Sequence, residues 1–196
     1  MRLTALFALI AVTCSAQVFE VGGQGGVSRL GSRSIGTIPG AAAGDPRSEV
    51  ELKDGWRFSL RATLNSGRFT GYEFGYAYNR TTLLIGGQDS GGMAIHQGVF
   101  NYVLYATPEG TRVRPFATGG GNFSNFIPPG ASVTSGGGDN KFGFNYGGGL
   151  KVILTDSLLL RLDARQYMCG KPFDLVGASG LLRQLEVGVG ISFYLH

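Results

Sequence analysis

The chain has 196 residues, 34 of them glycine, with 43% hydrophobic and 11% aromatic residues and a formal charge of +4. That length predicts one domain, and the apolar fraction is enough for an ordered structure. The modest charge, without a Lys/Arg cluster or basic helix, excludes a nucleic-acid-binding footprint, and the lack of an every-third-residue glycine period excludes a collagen helix.

The first element is a targeting segment. Arg2 gives a positive start, Leu3 to Val12 form a short apolar stretch, and Cys14-Ser15-Ala16 supplies small residues at a cleavage site. Residues 1–16 are therefore expected to be a signal peptide, with cleavage after Ala16 and a single domain over 17–196. The apolar stretch is too short to span a bilayer as a helix. Acylation of Cys14 is the alternative, and Thr13 fits that pattern poorly. After cleavage Cys169 is alone, so no internal disulfide is expected, and a structural role near a strand end is the favoured reading.

No later segment carries the run of about 20 apolar residues that a transmembrane helix needs. What recurs instead is period-two alternation over about ten residues. It predicts strands over 18–30, 56–65, 68–84, 93–106, 112–126, 141–154, 158–169 and 183–195. The connections alternate in length. Residues 31–55 are long, Asn65-Ser66-Gly67 is tight, Gly86 to Gly92 is a polar loop, and Pro108-Glu109-Gly110 is tight. Ile127 to Asn140 is then long and Gly/Ser-rich, Thr155-Asp156-Ser157 is tight, and Lys171 to Leu182 is longer again. Short turns at one end and longer loops at the other predict an all-β, eight-stranded antiparallel up-and-down transmembrane β-barrel.

The strand faces agree. Trp56, Phe58, Leu60, Ala62 and Leu64 share one face, and Arg57, Ser59, Arg61 and Thr63 the other. Charges sit at mid-strand on the polar face, so in lipid the apolar face turns outward and the charges meet inside. The expected lumen network is Glu20, Arg57, Arg61, Glu73, Lys151, Arg161, Asp163, Arg165 and Glu186, five cations and four anions, read as structural because buried charges must be paired. An eight-stranded interior is just wide enough to be filled by such side chains. Tyr72, Phe74, Tyr76, Tyr78, Phe100, Tyr102, Phe193 and Tyr194 are candidate wall and interface aromatics. A soluble lipocalin-like barrel is the fold-level alternative.

The stretch Thr111-Arg112-Val113-Arg114-Pro115-Phe116-Ala117-Thr118-Gly119-Gly120-Gly121 resembles the fifth strand of OmpA-like small outer-membrane barrels. Gly147 to Leu158, continued by Asp163-Ala164-Arg165, resembles that family's sixth and seventh strands with their tight turn. Gly190-Ile191-Ser192-Phe193-Tyr194-Leu195 resembles its C-terminal insertion signal, with Gly190, Phe193 and Leu195 as the marked positions, and differs in closing on His196. The resemblance spans the whole chain after residue 16. It implies residence in the outer membrane of a Gram-negative cell, and contact with outer-membrane lipids and lipopolysaccharide. It further implies biogenesis through periplasmic chaperones and the barrel-insertion machinery, and a monomer. A periplasmic peptidoglycan-binding domain is not expected after the last strand.

Chemistry is sparsely marked. His96 lies in Ala94-Ile95-His96-Gln97-Gly98, where a lipid A deacylase would show a His-x-Ser pair, and His196 is terminal. No His/Cys/carboxylate cluster has metal-ligand spacing, and Gly119–Gly121, Gly136–Gly138 and Gly147–Gly149 lead into no helix or GK[ST] pattern. No catalytic residue, cofactor, metal or nucleic-acid partner is expected. The long segment from Gly31 to Gly55 is expected to be a mobile exposed loop where a partner or lipopolysaccharide could be met. The leading expectation is a structural or surface-interaction barrel. A lipid-modifying enzyme and a narrow channel are the alternatives.

Overall fold

The computed structural model describes residues 18–31, 33–42, 45–132 and 137–195. The signal-peptide reading, its Cys14 and Ala16, and His196 lie outside the described residues. Ten strands are present among those described: β1 (Val18–Leu30), β2 (Ser34–Thr37), β3 (Glu49–Leu52), β4 (Gly55–Asn65), β5 (Thr70–Ile85), β6 (Gln88–Tyr105), β7 (Val113–Ile127), β8 (Asp139–Ile153), β9 (Leu158–Gly170) and β10 (Leu181–Leu195).

Eight of them close a barrel. The order is β1-β4-β5-β6-β7-β8-β9-β10, every neighbour is antiparallel, and β10 pairs back to β1 from Phe19↔Leu195 to Leu30↔Gln184. Closure leaves the barrel itself no edge, so each of these eight strands finds backbone partners on both sides. The first and last described residues share one rim with the three short turns, here called the near rim. The three remaining connections and the β5–β6 turn form the far rim.

The far rim differs from expectation in two places. The expected polar loop from Gly86 to Gly92 is a two-residue hairpin turn, because Ile85 pairs with Gln88 and both strands run on past the barrel. Gly86 (φ 56°) and Gly87 (φ 77°) both take left-handed backbone, as a hairpin twisted like its strands requires. A bulge between Leu83 and Leu84 absorbs Ser90.

The described residues 33–42 and 45–54 do not form a free loop either. Their β2 and β3 pair with each other, and β3 lies along the extended part of β5 through Val50↔Ile85 and Leu52↔Leu83. Thr37 bridges to Val176 of the last far connection. Apolar side chains at the strand tops and on these segments pack into one cluster: Leu30, Ile35, Val50, Leu52, Leu83, Met93, Ile95, Phe126, Cys169 and Leu182, with Phe173 and Leu175 against it. The alternating Ser-Ile-Gly-Thr and Glu-Val-Glu-Leu patterns were too short to read as strands. Burying Ile35 and Leu52 is what holds them in place.

Candidate functional site

The interior below this apolar cap holds the charges. Arg161, Asp163 and Arg165 alternate along β9, so all three side chains point inward. Asp163 is the hub. Its Oδ2 accepts from Arg61, from Arg161 Nε at 3.2 Å and from Arg165 at 3.2 Å, and its Oδ1 accepts from Gln24 at 2.7 Å. Glu73 takes the other side of both β9 arginines, 2.7 Å from Arg161 and 2.7 Å from Arg165.

Above the hub, Arg57 pairs with Glu186 and donates to Gln97 (2.9 Å) and Tyr167 (3.0 Å), while Gln184 donates to Glu186 (2.9 Å) and Ser28 (2.7 Å). Below it, Lys151 meets Glu20 at 2.5 Å and donates to the Tyr105 hydroxyl at 2.8 Å, and Asn65 donates to Glu20 at 2.7 Å. All nine residues expected in the lumen are buried and joined in ion pairs.

A tenth charge escaped the sequence reading. Arg114 on β7 is fully buried, sits 3.8 Å from the centre of the Tyr105 ring, and meets the Tyr194 hydroxyl. The lumen therefore holds six buried cations (Arg57, Arg61, Arg114, Lys151, Arg161, Arg165) and four buried anions (Glu20, Glu73, Asp163, Glu186). The surplus is met by inward-facing rings. Arg57 lies over Tyr167 at 4.8 Å and Arg161 over Phe116 at 4.6 Å, each an attraction of roughly 1–2 kcal/mol when desolvated. The signal was present in the sequence. Arg114 alternates with Phe116, and it faces Lys151 across the β7–β8 pair. The aromatic on the polar face disguised it. Tyr194, expected on the wall, also faces inward, because it alternates with the outward Phe193 and Leu195.

Glycine makes room for this network. A Cβ on Gly147 or Gly149 of β8 would come within 2.9 Å of Arg165 and 2.8 Å of Asp163, their cross-strand partners. On β10, a Cβ at Gly188 would strike the Gln24 amide at 2.2 Å. The hollow left between Gln24, Arg57, Arg61, Asp163 and Glu186 is only about 10 Å³, too little for more than one water. The arrangement can bind the strands to one another. It offers no passage at that level.

The outer wall is the inverse. Trp56, Phe58, Leu60, Phe74, Phe100, Tyr102, Val187, Val189, Ile191 and Phe193 all point outward and are exposed. Of the marked C-terminal positions, Phe193 and Leu195 lie on this wall and Gly190 faces the β1 backbone inside. His96 is also outward, in mid-β6, wedged between Tyr76 and Tyr78 with the Tyr76 hydroxyl 2.6 Å from Nδ1. Among the described residues no group of three His, Cys, Asp or Glu could hold a metal. In the near-rim turn, partial burial raises the Glu109 carboxyl above its ordinary range, against the pull of Arg114.

No protein-family model and no curated protein matches the chain. Solved structures do. OprG from Pseudomonas aeruginosa aligns at a TM-score of 0.66 and 13% identity over 92% of this chain and 97% of that one. Neisserial surface protein A aligns at 0.59 and 13% over 89% and 96%. Ail of Yersinia pestis, in complex with the heparin analogue sucrose octasulfate, aligns at 0.52 and 13% over 91% and 99%. At such identities the likeness is one of fold, and the fold is the closed eight-stranded antiparallel barrel found in small outer-membrane proteins.

Proposed function

We propose that this chain is an integral barrel of the Gram-negative outer membrane, with a structural or surface-interaction role and no catalysis. The observation that carries the reading is the inversion of the wall: charges and amides inside, aromatic and aliphatic side chains outside. In water such a shell would expose one continuous apolar belt, far beyond the few hundred Å² that monomers tolerate. In a bilayer it is the favoured arrangement. The height fits as well. From Leu185 to Leu195 the outward face of β10 is apolar at every second residue. At about 3.3 Å per residue and a tilt of about 40°, this band is about 25 Å tall, the height of the apolar belt of an outer-membrane barrel.

Export by a signal peptide over 1–16, delivery by periplasmic chaperones and insertion through a C-terminal signal at Gly190, Phe193 and Leu195 belong to the same proposal. So do a monomeric state and contact with outer-membrane lipids. The filled lumen favours a wall and display role over a channel, and the packed residues 33–42, 45–54 and 171–180 are the surface on display. The test is fractionation with a carbonate wash, followed by gel migration with and without boiling. The proposal expects retention in the outer-membrane pellet and a heat-dependent shift. A protein released by carbonate, migrating alike in both lanes, would overturn it.

A further inference from the structure

The outer wall changes character near the far rim. Above the apolar belt, three arginines point outward within a span of four adjacent strands: Arg183 on β10, Arg29 on β1 and, across β4, Arg80 on β5. Arg29 and Arg183 lie two positions apart along the β1–β10 pair, because Arg29 faces Leu185 and the Gly31 amide donates to Arg183. Arg80 faces Trp56 across β4–β5, and its guanidinium lies flat on Gly92, where any Cβ would come within 2.3 Å. Two hollows of about 540 and 430 Å³ open along this line and meet at Arg29 and Asp54.

The acid in the groove is already engaged. Asp54 accepts from the Leu30 amide at 2.9 Å and pairs with Arg33 at 3.5 Å. None of Arg29, Arg80 and Arg183 makes an ion pair among the described residues. Three unneutralised guanidiniums thus rim a groove whose floor and lower edge are Val27, Trp56 and Leu185. That is the complement of an amphiphile with phosphates at one end and acyl chains at the other. Guanidinium forks suit phosphate oxygens, and tryptophan suits the boundary between headgroup and hydrocarbon.

We propose that this groove is a binding site for a phosphorylated glycolipid headgroup of the outer leaflet, its phosphates held by Arg29, Arg80 and Arg183 and its chains laid on the wall below. The proposal rests on the membrane reading above, and the experiment separates the two. Trp56 is the one tryptophan of the chain, so its emission reports on the groove directly. The protein is refolded into phosphatidylcholine nanodiscs, its folded state is checked by the heat-dependent gel shift, and diphosphorylated lipid A is titrated in while Trp56 emission is followed.

The expected result is saturable binding, weakened about tenfold per arginine lost in Arg29→Gln, Arg80→Gln and Arg183→Gln, as for charge-assisted hydrogen bonds. The near-rim pair Arg68→Gln/Arg112→Gln should bind like the parent, although it removes similar charge. A folded, heat-shifted protein that shows no lipid A response would overturn the site and leave the membrane reading standing. So would equal binding of dephosphorylated lipid A, or an equal response to inorganic pyrophosphate alone. Failure to fold in any bilayer would overturn both.

Discussion

At the scale of single residues, Asp163 is where the account is most exposed. Among the described residues it is the one carboxylate shared by Arg61, Arg161 and Arg165, beside a hollow with room for no more than one water. Asp163→Asn keeps the shape and removes the charge, leaving three guanidiniums with Glu73 as their main counter-ion. Removing one partner of a buried ionic group costs about 3–5 kcal/mol, because the remaining charge is stranded. The loss should appear as a lower urea midpoint for unfolding from vesicles. Replacing both members of the Glu20–Lys151 pair, as Glu20→Leu with Lys151→Met, should be close to neutral, since a desolvated pair often gains little over apolar side chains of similar volume. If Asp163→Asn were silent and the paired replacement severe, the network would not be organised around β9. The nine charges were legible in the sequence because mid-strand charge on an alternating strand has one face to occupy. Arg114 was not, because Phe116 and Tyr105 place aromatic rings on the same inward face and blur the binary pattern.

At the scale of elements, the strands were readable and the far rim was not. Strand alternation survives because a one-residue slip would move every charge of β9 into the wall. The segment 31–54 lacks any such long pattern. Its order comes from tertiary burial of Ile35, Val50 and Leu52 against the strand tops, and from the Thr37–Val176 bridge, none of which four-residue strands announce. Likewise, Gly86-Gly87 read as part of a loop, while the chain uses them as a tight hairpin turn. Cys169 gives this cap a built-in reporter, since it is buried within the cluster and carries no disulfide. In a chain starting at Gln17, maleimide labelling of Cys169 should be slow. Ile35→Ser with Leu52→Ser removes apolar burial worth several kcal/mol and should speed labelling at least about tenfold through local opening, with the barrel still heat-shifted. Unchanged labelling would mean that the cap does not protect the cysteine.

At the scale of the whole molecule, three layers are stacked along the barrel axis: an apolar cap, an ionic middle, and a lower level where Arg114 and Lys151 meet Tyr105, with Phe116 against that ring and Tyr194 against Arg114. The shell around the middle is apolar. A soluble barrel of the same topology would be built the other way round, with its apolar residues inside and its charges in water. The fold was therefore readable from alternation and from the connection lengths other than the β5–β6 turn, but the choice of solvent rests on which face carries the mid-strand charge. The central claim, that the wall meets hydrocarbon, is tested most directly by nitroxide scanning along β10. Single cysteines at residues 187–193, in a Cys169→Ala background refolded in vesicles, would be compared for collisions with oxygen and with a polar nickel complex. The account predicts a period of two, with labels at Val187, Val189, Ile191 and Phe193 reached by oxygen and shielded from nickel. Nickel accessibility at those four positions would place the wall in water and contradict it.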